Sequence, residues 1–221
     1  MKKLLTLLFV FLVLSSAEGK IIIKGKLVNS NFKGPIYYNE PLNGFINMFY
    51  NDKSVQLKKD STFLIETELQ KEGFVVIRLP GKMLQLFVQP NDTLSFEALF
   101  AVDSQQHRYM FKDIHFTGNN APGHMEFTLG ASNSNLQGFL VSNIFSQKMT
   151  AQQFPEQVLL TIQHLLHPFD SLYQNNQIDK KFYEVVAADI KSRFSYELLI
   201  CYSTLLMLKE KKGPKNNVYK Y

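Results

Sequence analysis

His164, His167 and Asp170 recur at intervals of three in the run "QHLLHPFD", so on a helix they share one broad face and offer two imidazoles and a carboxylate to a metal ion. The spacing supplies no fourth ligand, and Pro168 falls inside the set, where a helix is expected to bend. A polar helix face accounts for the same residues, and no metal site is assigned. Glu66 and Glu68 fall on one face of a strand-like run, and two carboxylates are what a glycosidase needs as acid and nucleophile. Solvent-facing charge is the ordinary reading of such an alternation, and a hydrolase would need a separation and a cleft that alternation does not define. His107, His115 and His124 stand in no nearby pattern. The one cysteine, Cys201, sits in the apolar helical stretch "YELLICYSTLLML" and reads as a buried, inert thiol. The sequence contains no Gly-x-Ser-x-Gly, His-Glu-x-x-His, Cys-x-x-Cys or phosphate-cradling glycine loop. No catalytic, cofactor-binding or metal-binding residue is therefore assigned, and no cofactor is expected.

The elements that would position any site change character partway along the chain. From Lys20 to about Gly118, short apolar runs are separated by turn residues at Lys59-Asp60, Pro80-Gly81, Pro90-Asn91-Asp92 and Thr117-Gly118. Many short strands so spaced predict an antiparallel β-sandwich. The runs are "KIIIKGKLVN", "GFINMFYND", "KSVQLKKD", "STFLIETEL", "GFVVIRLPG", "KMLQLFVQP", "DTLSFEALF" and "YMFKDIHFTG", with a possible turn at Asn51-Asp52. Pro90 presets φ for a turn and lacks an N–H, while Asn91 and Asp92 tolerate left-handed φ and bond their own backbone. "LQLFVQPNDTLSF" therefore reads as a hairpin or a tight corner; ligand binding by Asn91-Asp92-Thr93 at a sheet end is the alternative. The aromatics look like core filler, with Tyr37-Tyr38 and Phe49-Tyr50 as candidates for exposure.

Beyond Asn119 the period becomes helical. A weak segment is interrupted by Gly130 and the polar patch Ser132 to Asn135. A stronger helix follows Thr150, its expected cap, with Phe154, Val158, Leu159, Ile162, Leu165, Leu166 and Phe169 recurring at helical spacing. A last helix, capped by Asp179 and ended by Gly213-Pro214, carries Phe182, Val185, Val186, Ile190 and Phe194 on one stripe. The fold class is α+β, with a β-sandwich over residues 20–118, a helical region over 119–212 and a basic tail over 213–221.

Residues 1–17 have the parts of a secretory signal: Lys2 and Lys3, an apolar run from Leu4 to Leu14, then Ser15-Ser16-Ala17. Cleavage is expected after Ala17, with Gly19 as the second choice. The run is shorter than the roughly 20 residues of a membrane-spanning helix, so a membrane association would come only from an uncleaved signal. The chain is expected to be exported to the periplasm or cell envelope. There a single cysteine forms no internal disulfide, and stability must come from a packed core. Losing Lys2 and Lys3 lowers the 24 basic residues to 22 against 19 acidic ones, so the net charge falls from +5 to +3. Such a balance does not point to nucleic acid. The basic excess gathers in the tail at Lys209, Lys211, Lys212, Lys215 and Lys220, a solvated linker or a surface for membrane or anionic glycan.

The order "GKLVN", "DSTFLIETEL", "GFVVIRL", "LQLFVQPNDTLSF", "IHFTGNNAPG" resembles the N-terminal β-domain of exported bacterial thiol-disulfide oxidoreductases, which pair it with helices and a C-terminal thioredoxin-like domain. The resemblance spans roughly Ile21 to Leu208. In that family the turn usually reads Pro-Gly-Asp followed by Ser or Thr. Here Asn91 replaces the glycine, and the turn should survive because Asn also accepts left-handed φ. "FTGNNA" resembles the family's step out of the sheet into the helices. The family's redox chemistry lives in a Cys-x-x-Cys that this chain lacks, so no catalytic residue carries over. Either the catalytic domain is lost, it lies outside this sequence, or the β-domain works alone. The resemblance also brings in an O-glycosylation signal of the bacteria rich in this family, Asp followed by Ser or Thr and then an aliphatic residue or Thr. It would mark Thr93, Ser171 and Ser61, all of which also read as turn or helix residues.

The resemblance implies a non-catalytic envelope accessory module that positions a thioredoxin-like domain or binds a substrate or envelope protein. A free-standing peptide- or glycan-binding protein is the alternative, and a hydrolase on a sandwich scaffold ranks last.

Overall fold

The computed structural model describes residues 19–39, 53–69, 72–103, 108–131 and 153–211. The signal-like segment, Phe49-Tyr50, Asn51-Asp52, His107, the patch 132–135, Thr150 and the tail 213–221 lie outside them, as does the side chain of Cys201. The chain is α+β and divides into two compact units, one ending at Thr128 and the other beginning at Leu129.

Among its described residues the first unit has eight strands: β1 (Gly19–Val28), β2 (Ile36–Tyr38), β3 (Lys53–Val55), β4 (Thr62–Leu69), β5 (Gly73–Leu79), β6 (Lys82–Val88), β7 (Thr93–Asp103) and β8 (Arg108–Gly118). They form two four-stranded sheets, sheet A in the order β4-β1-β7-β8 and sheet B in the order β3-β2-β5-β6. Every ladder is antiparallel except β1 with β7, which run parallel from Ile22↔Thr93 to Val28↔Leu99. Alternate residues of both sheets meet in one core: Ile21, Ile23 and Leu27 of β1, Phe63 and Ile65 of β4, Val75 and Ile77 of β5, Leu84 and Leu86 of β6, and Leu94 and Phe96 of β7. Burying each such side chain contributes about 1.5–3 kcal/mol, which is how a chain with one cysteine holds a sandwich.

Pro90-Asn91-Asp92 is a corner that carries the chain from sheet B to sheet A, the second of the two geometries expected. Asn91 takes φ 70°, as the turn chemistry requires. The buried Asp92 closes it: Oδ2 accepts from the Gln89 N–H at 2.8 Å, and its backbone oxygen accepts from Ile22 N–H at 3.0 Å, tying the corner to β1. "FTGNNA" makes the expected exit from the sheet. Gly118 has φ 105°, and a Cβ there would meet the Thr93 carbonyl oxygen at 2.2 Å, so only glycine fits. Asn120, also left-handed, then opens the short helix α1 (Ala121–Glu126), with Pro122 in its first turn. One π-turn, Phe127–Ala131, follows and takes in Gly130. The β unit thus reaches ten residues past the expected boundary at Gly118, because α1 packs on β8 and sets His124 against Phe116 at 5.7 Å.

The second unit is a hairpin of α2 (Gln153–Gln174) and α3 (Lys180–Lys211). Helix α2 continues through Pro168, with buried Leu166 and Phe169 on either side of it. It ends in a Schellman motif: Gln177 N–H donates to Leu172 O at 2.9 Å, Asn176 N–H donates to Tyr173 O at 3.0 Å, and Asn176 has φ 55°. Asp179 caps α3 as expected, its Oδ1 accepting from Phe182 N–H at 2.8 Å. Phe182, Val186, Ile190 and Phe194 form the buried stripe, with Val185 half-buried beside it. Among the described residues no helix is long and apolar enough to cross a membrane.

Candidate functional site

The outer face of sheet A is where functional side chains gather. In β1 the core takes Ile21, Ile23, Gly25 and Leu27, which leaves Lys20, Lys24 and Lys26 pointing away from it. Cross-strand register converts that alternation into rows. Lys26 lies between Thr62 of β4 and Glu97 of β7, and Glu97 lies opposite His115 of β8. One row along, Lys24 lies between Leu64 and Ser95, and Ser95 faces Thr117. Neighbouring strands sit about 4.8 Å apart, so each row presents four side chains within reach of one small ligand.

These residues line an open groove of about 450 Å³, together with Lys58, Gly25, Phe63 and Phe96. Gly25 itself faces the core: a Cβ there would come within 2.2 Å of the Phe63 ring, which fills that space. Phe63 is held in turn by edge-to-face contact with Phe96 at 5.8 Å, and Phe96 by Phe116 at 5.7 Å. Lys58 is set at the rim by an Asx turn, in which Asp60 Oδ1 accepts from Thr62 Oγ1 at 2.7 Å and from Thr62 N–H at 3.2 Å. The Thr62 side-chain bond, with its backbone bond second, holds the Asp60 carboxyl below the usual carboxylate range.

The electrostatics of the groove are uneven. Lys26 Nζ pairs with Glu97 Oε1 at 3.1 Å, and outside the groove Lys20 Nζ pairs with Glu66 Oε1 at 3.0 Å. Lys24 pairs with no carboxylate among the described residues, while Lys58 is close enough to Asp60 to help hold that carboxyl's pKa down, so the surplus positive charge of the groove sits at its centre. The groove can therefore hold an anion by charge and orient it with the hydroxyls of Ser95 and Thr117 and the imidazole of His115, the Thr62 hydroxyl being committed to Asp60. It offers no nucleophile–base pair.

The residues singled out by sequence fall elsewhere. Glu66 is committed to Lys20, and Glu68 points to solvent on the same edge strand. His164 and His167 are exposed, while Asp170 accepts a hydrogen bond from the Tyr183 hydroxyl at 2.7 Å. That bond raises the Tyr183 pKa and fastens the hairpin, with Tyr173 stacked on Tyr183 at 4.8 Å. Among the described residues no three His, Cys, Asp or Glu side chains are placed to share a metal ion. Thr93 and Ser171 are exposed and Ser61 is half-buried. Tyr37 is exposed at its strand and Tyr38 is in the core. His124 is buried, and desolvation lowers its pKa to about 3. Sequence reasoning missed the groove. Its one available signal was the alternation of lysines with aliphatics in "KIIIKGK"; His115 acquires a pattern only when β7 and β8 pair.

No family model matches the chain, and no curated protein matches it. A comparison with solved structures finds a candidate cell adhesion protein from Bacteroides ovatus ATCC 8483, 11% identical, covering 44% of this chain and 44% of that one, with a TM-score of 0.21. The chain thus spans less than half of that protein, and a likeness at that TM-score carries no argument.

Proposed function

We propose that this chain is a non-catalytic binding module of the cell envelope and that the outer face of sheet A is its binding surface. The observation that carries this reading is the groove itself. It is concave, of the size of small-molecule sites (about 300–1,000 Å³), and lined by polar groups on four adjacent strands. The rigid sandwich beneath holds those groups in place before any ligand arrives, which lowers the entropic cost of binding. An array of immobilised glycans and peptides probed with the labelled chain tests it. Binding should be seen and should be lost when Ser95 is replaced by Trp, which fills the groove from its floor. Failure of the chain to bind any member, or equal binding by S95W, contradicts the reading.

A second reading, the accessory part of a thiol-disulfide oxidoreductase, is favoured by two local geometries. Asn91 takes the left-handed φ that the family's Pro-Gly-Asp turn uses, and Gly118 and Asn120 make the step from sheet to helix. An immunoblot of the envelope fraction separates the two. A native product larger by about 100–150 residues supports a missing redox domain, and one of this chain's mature size removes it. Intact mass of the same product tests glycosylation at Thr93, Ser171 or Ser61: an unmodified mass excludes it.

A further inference from the structure

The groove's chemistry narrows its ligand, on the premise that it is a binding site at all. We infer that it takes an acidic saccharide, a hydroxyl-rich ligand with carboxylates on its rings.

Of the three ammonium groups in the lining, Lys26 is paired with Glu97 and Lys58 lies in the field of Asp60 just outside it, which leaves Lys24 as the surplus charge that draws in an anion. Of the remaining polar groups Thr62 donates to Asp60, and Ser95, Thr117 and His115 are small donors and acceptors suited to sugar hydroxyls. The two aromatic rings in the lining, Phe63 and Phe96, are only 2% and 3% exposed, so neither offers a face for stacking a neutral pyranose. Apolar contact is offered by the exposed Leu64, and the attraction that selects the ligand comes from charge. Within the sheet the backbone N–H groups are committed to the ladders on both sides of β1, and the lining holds no arginine, so a phosphate would find neither a backbone nest nor a bidentate guanidinium and would meet only lysine point charges. Lys24 and Lys26 on β1 and Lys58 on the rim turn are point charges set apart from one another, which suits carboxylates carried one to a ring.

The test is an NMR titration of the 15N-labelled full chain with trigalacturonate, galactotriose, a hexaglutamate peptide and inorganic phosphate. Trigalacturonate should shift the amides of Lys24, Ser95 and Thr117 saturably, and Lys24→Gln should weaken that binding about tenfold while leaving the melting temperature in place. Raising salt from low to physiological strength should weaken it further, as screening requires. No saturable shift with trigalacturonate, equal binding of galactotriose, or an unchanged affinity in K24Q overturns the inference. If galactotriose, hexaglutamate or phosphate shifts these amides and trigalacturonate does not, the ligand class is wrong and the groove remains a binding site. If none of the four does, the binding-module reading falls with it.

Discussion

The outer faces of the two sheets differ in what their strands ask of their surroundings. On sheet A the outward positions of β1 are three lysines with half-buried Ile22 and Val28, and those of β7 include Thr93, Ser95, Glu97 and Leu99, so this face is built largely to meet water. On sheet B the outward positions of β5 and β6 include Phe74, Gln85 and Phe87, all buried, with Phe127 stacked on Phe74 at 6.0 Å. One sandwich thus carries a face that must be covered and a face that need not be. The covered face is a matter of stability; the open one is free to vary its chemistry without unfolding the protein.

The sharpest way to break that contrast is to truncate the covered face. Phe87→Ala removes a side chain only 1% exposed and packed against Phe74 at 5.6 Å. It should cost about 3–5 kcal/mol in urea denaturation. A loss below 1 kcal/mol would mean that the covered face is not structural.

His124, buried between α1 and β8, should make the β unit acid-sensitive. Its pKa is lowered from 6.5 to about 3 by burial, so the unfolded chain takes up a proton first as pH falls. The stability it protects is whole above about pH 6.5 and is lost progressively down to about pH 3. Between pH 7 and pH 4 the wild type should lose roughly 3 kcal/mol more than His124→Leu does. Parallel pH profiles for the two proteins would show that the imidazole titrates normally.

A smaller effect is expected at Gly25→Ala, where the new methyl collides with a Phe63 ring already held by Phe96. Overpacking of this kind costs about 1–3 kcal/mol, and a crystal structure of the variant should show the Phe63 ring displaced. Smallest of all is Glu97→Gln. Its ion pair with Lys26 is solvent-exposed, and chemical denaturation should register a change of less than about 1 kcal/mol.

Local chemistry made much of the fold legible. Pro90-Asn91-Asp92, Gly118 and Asp179 act within a few residues of themselves, and each does what its side chain dictates. The change from a two-residue to a helical period likewise marks the passage from sheets to helices. The strand order was not legible, because the parallel pairing of β1 with β7 joins residues about 70 positions apart and depends on the whole core. The groove inherits that limit: Lys24, Ser95 and Thr117 come from three strands that only the completed sheet makes neighbours. The histidine pair on α2 shows the converse, a suggestive spacing whose third member, Asp170, is occupied by Tyr183.

The claim that sheet A's outer face is for recognition and not for stability is tested most directly by measuring melting temperature and ligand affinity together in the double variant K24Q/S95A. The account predicts a melting temperature within about 3 °C of wild type and at least a tenfold loss of affinity for trigalacturonate. A protein that melts much earlier yet binds as before would contradict it.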